Sequence, residues 1–308
     1  LVPPVSNRKM AEAYRDRILA ASPDGSDFNP LMTLYLTNQT TVEDISTACS
    51  NKIPAAKLYP AGATTNSDAA VSAIEELYPV FERMSEIGML LLVHGEVTDA
   101  AVDIFDREQR FIDKYLVKIH ERFPSLKIVL EHITTSDAVE FVLSADVSVA
   151  ATITPQHLLL NRNDLLAGGI RPHNYCLPVL KRGTHQHRLR EVIVSGSSKF
   201  FLGSDSAPHK RHLKESSCGC AGCYSAWGAI ELYAEVFDDL GALDRLEGFA
   251  SHYGPDFYGM QRNSGQLTLV RDEWTMPEVI ALENGEEIVP FYAGKKLAWR
   301  VRPTLDNS

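Results

Sequence analysis

Four side chains that could bind a metal ion lie in or shortly after short apolar runs of the sequence. They are Lys57, His94, His132 and Asp205. Neutral imidazoles and a carboxylate suit zinc, and zinc makes a bound water acidic near neutral pH. Lys57 stands among small and apolar neighbours, where burial favours the neutral amine, which can take up carbon dioxide as a carbamate. A carbamate could bridge two metal ions. Each residue alone also has a plain structural explanation, such as a loop cap or a satisfied polar side chain.

Strands and helices alternate along the chain, which is typical of an α/β fold. Nearly continuous apolar runs predict six strands buried on both faces, at residues 31–36, 55–59, 89–93, 127–131, 147–154 and 200–202. Helical periodicity predicts the connecting helices, at residues 7–21, 68–87, 106–123, 137–143, 186–195 and 226–240. A capping box of Thr40 and Glu43 predicts one more short helix, and a long loop is expected from residue 155 to about 184.

A closed barrel and a doubly wound open sheet are both compatible with this alternation. We favour a TIM-like (β/α)8 barrel because polar residues recur at the end of strand after strand, where barrel enzymes carry their active sites. No linker, repeat or low-complexity segment interrupts residues 1–308, so a single domain is expected. Residues 245–308 are expected to form an irregular tail that packs on the barrel.

Composition excludes several classes of function. The 308 residues carry a formal net charge of -10 and no dense run of Lys or Arg, so nucleic acid is not an expected partner. The longest apolar run lies near residues 89–93, far short of the roughly 20 residues that span a bilayer, so no membrane association is expected. Five cysteines in a chain of this length do not suggest a disulfide framework, and a cytoplasmic location fits best.

Several long sequence motifs carry a resemblance to a known family, namely AAKLYPAGATTN, LLLVHGE, IVLEHITT, ITPQH, RPHNYCLP, GSDSAPH and KESSCGCAGC. Together they resemble the single-chain bacterial class of dihydroorotases in the amidohydrolase superfamily, over nearly the whole chain. The resemblance implies a TIM-like barrel that reversibly cyclises N-carbamoyl-L-aspartate to L-dihydroorotate, a step of pyrimidine biosynthesis. It also implies a homodimer.

The same resemblance implies a set of metal ligands. Lys57 would be carboxylated and would bridge two zinc ions in each subunit. His94 and His132 would bind the second zinc. Asp205 would bind the first zinc and serve as the general base and acid of the reaction.

Substrate contacts are implied as well. Thr64 and Thr65 would lie on a mobile loop that closes over the substrate. His209 and the backbone of Ala221 would hold the substrate carboxylate, and the backbone of Leu177 would hold the edge of the pyrimidine ring.

The sequence departs from the family pattern upstream of Lys57. Dihydroorotases carry a His-x-His pair on the first strand, whereas the only such pair here, His185 and His187, begins a late helix. The chain thus resembles six of the eight β/α units. Either the sequence begins about 40 residues into the natural chain, which we expect because open strand edges aggregate, or the protein is a truncated, non-catalytic relative.

Other functions stay open at this point. Another cyclic amidohydrolase, such as a hydantoinase or a dihydropyrimidinase, would not need groups that grip a carboxylate. A non-catalytic scaffold would explain the absent His-x-His pair. Cys218, Cys220 and Cys223 could form a further metal site with His212 or Cys176, but a tight Gly-rich loop that faces the substrate, with the thiols as packing, explains them better.

Overall fold

A computed structural model describes residues 3–65, 67 and 69–302 of the chain. One sheet contains six strands in sequential order, namely β1 (Thr33–Tyr35), β2 (Ala55–Leu58), β3 (Leu90–Val93), β4 (Ile128–Leu130), β5 (Val149–Ile153) and β6 (Phe200–Leu202). Neighbouring strands run parallel. A doubly wound sheet reverses its strand order, whereas a (β/α) barrel keeps it sequential. The prediction of a TIM-like α/β fold is therefore confirmed.

Helices separate most of the strands, and each predicted helix has a counterpart. Their bounds are α1 (Arg8–Ala20), α2 (Val42–Ser50), α3 (Tyr78–Ile87), α4 (Arg107–Phe111), α5 (Val117–Arg122), α6 (Ser136–Ser144), α7 (Pro155–Leu159), α8 (Arg162–Leu166), α9 (Gly183–Val194), α10 (Arg211–Lys214), α11 (Ala229–Asp239) and α12 (Tyr253–Tyr258). A π-helical turn, Ile112–Leu116, joins α4 to α5. Among the described residues, no helix is long and apolar enough to cross a membrane.

The capping box of α2 lies one residue later than predicted. Thr41 and Asp44 form it, with the Asp44 N–H donating to Thr41 Oγ1 over 3.1 Å and the Thr41 N–H donating to Asp44 Oδ2 over 3.0 Å. Thr40 is engaged elsewhere, because its hydroxyl accepts a hydrogen bond from the Thr37 N–H in the preceding turn. Thr41 rather than Thr40 therefore caps the helix, because the turn before the helix already uses the Thr40 hydroxyl.

The helix predicted from residue 68 begins later. Asp68 itself lies outside the described residues, and helical structure starts with a 3-10 turn at Ile74. Val71 explains the delay, because its N–H donates to the Tyr59 carbonyl and its carbonyl accepts from the Ala61 N–H, at 3.0 and 2.9 Å. These bonds hold Val71 extended against the loop that follows β2.

The segment predicted as a long loop contains two short helices, α7 and α8. Thr154 caps α7, and Asn161 with Asp164 forms a capping box at the start of α8. Each helix has five residues, too few for a clear helical period in the sequence. The prediction of a continuous loop was wrong for this reason.

The chain divides into two compact units. The first comprises Leu1–Glu131 and Ser144–Ala150, and the second comprises His132–Leu143 and Ala151–Ser308. In the first unit, every residue of β2, β3 and β4 is buried, which agrees with the apolar runs that predicted these strands. The single domain over residues 1–308 stays a prediction.

Part of the predicted tail is regular structure in the second unit. Strands β7 (Thr268–Thr275) and β10 (Lys296–Arg302) pair antiparallel, and β8 (Ile280–Ala281) pairs with β9 (Glu287–Ile288) between them. Glu235 of α11 accepts a hydrogen bond from the Trp299 N–H over 3.0 Å, which fastens β10 to that helix. The expectation of an irregular tail was therefore wrong, because both long strands are largely exposed and lack a continuous apolar run.

Candidate active site

Lys57 lies inside a buried strand of the first unit. It is the third residue of β2 and is 7% exposed. Its Nζ forms an ion pair with Glu131 and lies 4.9 Å from the centroid of the Tyr59 ring. Lysine is almost never buried to this degree without a partner. A buried amine at the carboxyl end of a strand is the starting point that carbamate formation would need.

His94 directly follows β3, also in the first unit, and is 1% exposed. Its N–H donates to the Leu58 carbonyl over 2.9 Å, and its ring centroid lies 5.6 Å from that of Tyr59. Its Nε2 lies 3.0 Å from Glu96 Oε2. A carboxylate only accepts hydrogen bonds, so Nε2 carries the proton and a metal would be bound through Nδ1. The first unit therefore brings Lys57 and His94 together around Tyr59.

Two acidic residues beside these side chains were not predicted from the sequence. Glu96 is 2% exposed and hydrogen-bonds His94, and Glu131 pairs with Lys57. The motifs LLLVHGE and IVLEHITT each place a Glu within two residues of a predicted ligand, which was the available signal. Carboxylates that hydrogen-bond a metal-binding His fix its tautomer and orientation. We interpret Glu96 as the residue that orients His94.

His132 and Asp205 share an unusual backbone conformation in the second unit. Their φ angles are 46° and 42°, in the left-handed region. This conformation costs roughly 1 kcal/mol or more for a residue with a side chain, and it recurs at functional sites. The His132 N–H donates to Thr152 Oγ1 over 2.8 Å. A Cβ on Gly203 would lie 2.5 Å from Thr152 Cβ, so β6 can approach Thr152 only with glycine at that position.

A hydrogen-bonded loop follows β6 and joins two predicted substrate contacts, His209 and Ala221, to the chain near the third, Leu177. His209 Nε2 donates to the Ala221 carbonyl over 3.0 Å. The Gly222 N–H donates to the Tyr175 carbonyl over 3.0 Å, two residues before Leu177. Burial is the main reason that the pKa of His209 lies below its ordinary value, so the ring is neutral near pH 7 with its proton on Nε2.

The loop that carries Thr64 and Thr65 is closed by local hydrogen bonds. The Thr64 N–H donates to Ser67 Oγ over 3.2 Å, and Ser67 Oγ donates to the Thr64 carbonyl over 2.6 Å. Both threonines are half-buried. Asn66, which ends the motif AAKLYPAGATTN, lies outside the described residues. Closure of this loop over a substrate stays a prediction.

Replacing Gly222 by Ala is expected to destabilise the substrate loop. Gly222 has φ 149°, and a Cβ there would lie 2.5 Å from the backbone oxygen of Ala207 and 3.0 Å from His209 Cδ2. Overpacking and backbone strain together predict a loss of about 3 kcal/mol in the free energy of unfolding, measured in urea. Gly219→Ala is the matched control, because Gly219 also has positive φ but its nearest neighbour lies 3.9 Å away. That variant should lose only about 1 kcal/mol; equal losses would contradict the steric explanation.

The donor chemistry fits zinc only when the lysine is included. Among the described residues, no three His, Cys, Asp or Glu side chains are grouped so that they could hold a metal ion. Lys57 and His94 belong to the first unit, and His132 and Asp205 belong to the second. Two imidazoles and one carboxylate need a further anionic ligand to hold a pair of dications, and a carbamate on Lys57 would supply it.

Two of the cysteines, Cys176 and Cys223, act as packing and hydrogen-bonding groups, whereas Cys218 is exposed and Cys220 is half-buried, so the prediction of packing thiols was wrong for Cys218. Cys176 and Cys223 are both 1% exposed, and their sulfurs lie 3.4 and 3.5 Å from the carbonyl oxygens of Pro178 and His173. A hydrogen bond with Cys223, together with burial, raises the pKa of the Cys176 thiol well above its ordinary value, so it is protonated at neutral pH. In the described part of the chain, the alternative of a further metal site is not supported.

Comparison with known proteins separates the family alternatives. The amidohydrolase family matches residues 6–269. A dihydroorotase from Pseudoalteromonas atlantica is 68% identical over 302 residues, 98% of this chain and 88% of the relative. The crystal structure of dihydroorotase from Saccharomyces cerevisiae, in complex with 5-fluoroorotic acid, matches 98% of this chain and 87% of its own at 36% identity, with a TM-score of 0.89.

A dihydropyrimidinase from Brevibacillus agri has a lower TM-score, 0.76, at 15% identity over 96% of this chain and 71% of its own. That likeness shows the fold alone. The much higher identity to the dihydroorotase from Pseudoalteromonas atlantica extends over 98% of this chain. This chain is a member of the dihydroorotase family of the amidohydrolases.

Proposed function

We propose that this chain reversibly hydrolyses the cyclic amide of L-dihydroorotate to N-carbamoyl-L-aspartate, in the pathway of pyrimidine synthesis. The observation that carries the proposal is the loop after β6. It places Asp205, a strained and exposed carboxylate, four residues before His209, which is hydrogen-bonded to Ala221. A proton acceptor beside groups suited to a carboxylate matches a substrate that has both a cyclic amide and an acid.

Two zinc ions per subunit are part of this proposal. Lys57, as its carbamate, would bridge them, His94 and His132 would bind one, and Asp205 would bind the other. When bound, zinc supplies an acidic water and polarises a carbonyl group. Glu96 would keep His94 in the required tautomer, because its carboxylate lies 3.0 Å from Nε2.

The proton transfers fall to Asp205. In the hydrolytic direction its carboxylate accepts a proton from the attacking water and donates it to the ring nitrogen that leaves. In the biosynthetic direction it takes a proton from the carbamoyl nitrogen, which then attacks the carboxyl carbon; the carboxyl oxygen that is displaced takes this proton from Asp205 and leaves as hydroxide. The left-handed backbone, with φ 42°, fixes the direction in which the side chain leaves the loop.

Substrate recognition would use the backbone of the second unit. The backbone N–H of Ala221 would bind the substrate carboxylate, and His209 would join it by exchanging its Nε2 hydrogen bond to the Ala221 carbonyl for one to the carboxylate. Leu177 would bind the ring edge through its backbone. The loop of Thr64 and Thr65 would close over the bound substrate and exclude water. We further propose a cytoplasmic homodimer that acts on this small molecule and binds neither nucleic acid nor membrane.

A substrate panel tests the proposed function. Purified protein, supplied with zinc and bicarbonate, is assayed for ring opening of dihydroorotate, hydantoin and 5,6-dihydrouracil, the last two of which lack the carboxylate. We expect kcat/KM for dihydroorotate to exceed the other two by at least about 100-fold, because polar groups built for a carboxylate would otherwise stay unpaired. Faster opening of hydantoin would support a hydantoinase, and folded protein with neither metal nor turnover would support a scaffold.

A further inference from the structure

Lys214 is a buried cation that no part of the proposed mechanism uses. It is the last residue of α10 and is 3% exposed. Its ammonium donates three hydrogen bonds to backbone carbonyls: to Tyr175 over 2.7 Å, to Cys220 over 2.9 Å and to Gly222 over 2.7 Å. An ammonium has three hydrogens, so its hydrogen-bonding capacity is filled.

The charge of Lys214, in contrast, is not balanced. None of its hydrogen bonds goes to a carboxylate, and within the described residues it forms no ion pair. Burying an uncompensated charge is unfavourable, and burial lowers the pKa of Lys214 from its ordinary value. A side chain that only held the three carbonyls in place could be a neutral donor, which costs less free energy to bury. The charge of Lys214 therefore indicates that an anion binds nearby.

The three carbonyls identify where that counterpart binds. Cys220 C=O and Ala221 N–H belong to one peptide group, so a cation on the oxygen makes the N–H a stronger donor. Tyr175 precedes Leu177 by two residues, which ties the same ammonium to the other proposed backbone contact. Lys214 also reaches His209 electrostatically, because its charge contributes to the lowered pKa of that imidazole.

We propose that Lys214 is a positioning residue that joins the two backbone segments of the substrate site and supplies the positive charge that attracts the substrate carboxylate. It acts through the Cys220–Ala221 peptide group rather than by contact with the substrate. This inference rests on the proposed function, because it requires a carboxylate at Ala221 and His209.

The experiment compares an acid with its uncharged counterpart. Binding of orotate and of orotate methyl ester is measured calorimetrically for the wild-type holoenzyme and for Lys214→Met. We expect Lys214→Met to weaken orotate binding by at least about 10-fold while ester binding changes less than about 3-fold. Turnover of dihydroorotate should show the same pattern, with a raised KM and a smaller change in kcat.

Lys210→Met is the matched control. Lys210 lies just before α10, and its charge is already neutralised by Glu286 at 2.6 Å. Removing it changes the net charge by the same amount but should leave the acid-to-ester ratio unchanged. If both lysine variants lost the same amount of orotate affinity, the loss would come from long-range electrostatics alone, and the proposal would be overturned.

Two further variants keep the proposal testable if Lys214→Met does not fold. Lys214→Gln retains donors for the carbonyls without charge, and Lys214→Arg retains the charge. The Lys214→Arg variant should keep the preference for orotate over its methyl ester, and the Lys214→Gln variant should lose it. If Lys214→Gln weakened the binding of orotate and of its methyl ester equally, Lys214 would only hold the backbone carbonyls in place, and the proposal would be wrong. Failure of the proposed function is a separate result, because the wild-type protein itself would then neither open dihydroorotate nor bind orotate, whatever the Lys214 variants do.

Discussion

Asp205→Asn is expected to reduce turnover of dihydroorotate by about 1,000-fold or more while the fold is retained. Asparagine has nearly the same shape as aspartate and also tolerates the left-handed backbone found at Asp205, with φ 42°. An amide cannot accept a proton near neutral pH. The loss in rate therefore reports the chemistry of the carboxylate, as proton acceptor and as zinc ligand, and not a rearranged loop; the zinc content of the variant, measured alongside, separates the two roles.

Controls separate this chemical effect from loss of structure. The free energy of unfolding of Asp205→Asn should stay close to that of the wild type, whereas Asp205→Ala should lose roughly 1 kcal/mol to backbone strain. Asp272→Asn removes an acid that is exposed and paired with Arg300, and it should keep the wild-type rate. An Asp205→Asn enzyme that retains a tenth of the wild-type rate would exclude Asp205 as the general base.

Lys57→Ala is expected to lower both zinc content and turnover. Without the bridging carbamate, the remaining imidazoles and carboxylate cannot hold two dications, so bound zinc should fall to about half of the wild-type amount or below. Zinc is measured by elemental analysis of protein purified in zinc-containing buffer. Retention of two zincs together with the full rate would eliminate the carbamate.

Glu131→Gln distinguishes a lost ligand from a lost ion pair. Lys57→Ala also removes the ion pair with Glu131, and a disturbed pair could weaken metal binding indirectly. Glu131→Gln removes the same ion pair but leaves the lysine in place. We expect it to bind more zinc than Lys57→Ala; equal zinc loss in the two variants would point to the ion pair.

Much of the fold was predictable because buried parallel strands have a simple sequence signature. All six apolar runs are strands, and the polar residues at their ends lie where the sequence placed them, with His94 directly after β3 and His132 two residues after β4. The specific family motifs then supplied roles that residue types alone leave open. The apolar runs and the family motifs are both short, continuous stretches of sequence, so both could be identified without knowing which distant residues are in contact.

Features that depend on contacts between distant residues were not predictable. Lys214 resembles a surface lysine in the sequence, and only the carbonyls of Tyr175 and Gly222 reveal that it is buried. The left-handed φ angles of His132 and Asp205 are not predicted by their residue types either. The antiparallel strands of the tail were missed because one exposed strand alone has little apolar pattern.

The most direct test is the rate of dihydroorotate ring opening by metal-stripped protein to which zinc and bicarbonate are returned separately and together. The proposed site predicts substantial turnover only when both are present, because zinc supplies the acidic water and carbon dioxide supplies the bridging carbamate on Lys57. The full rate with zinc in carbon-dioxide-free buffer would contradict the carbamate. The full rate without any metal would contradict the site as a whole.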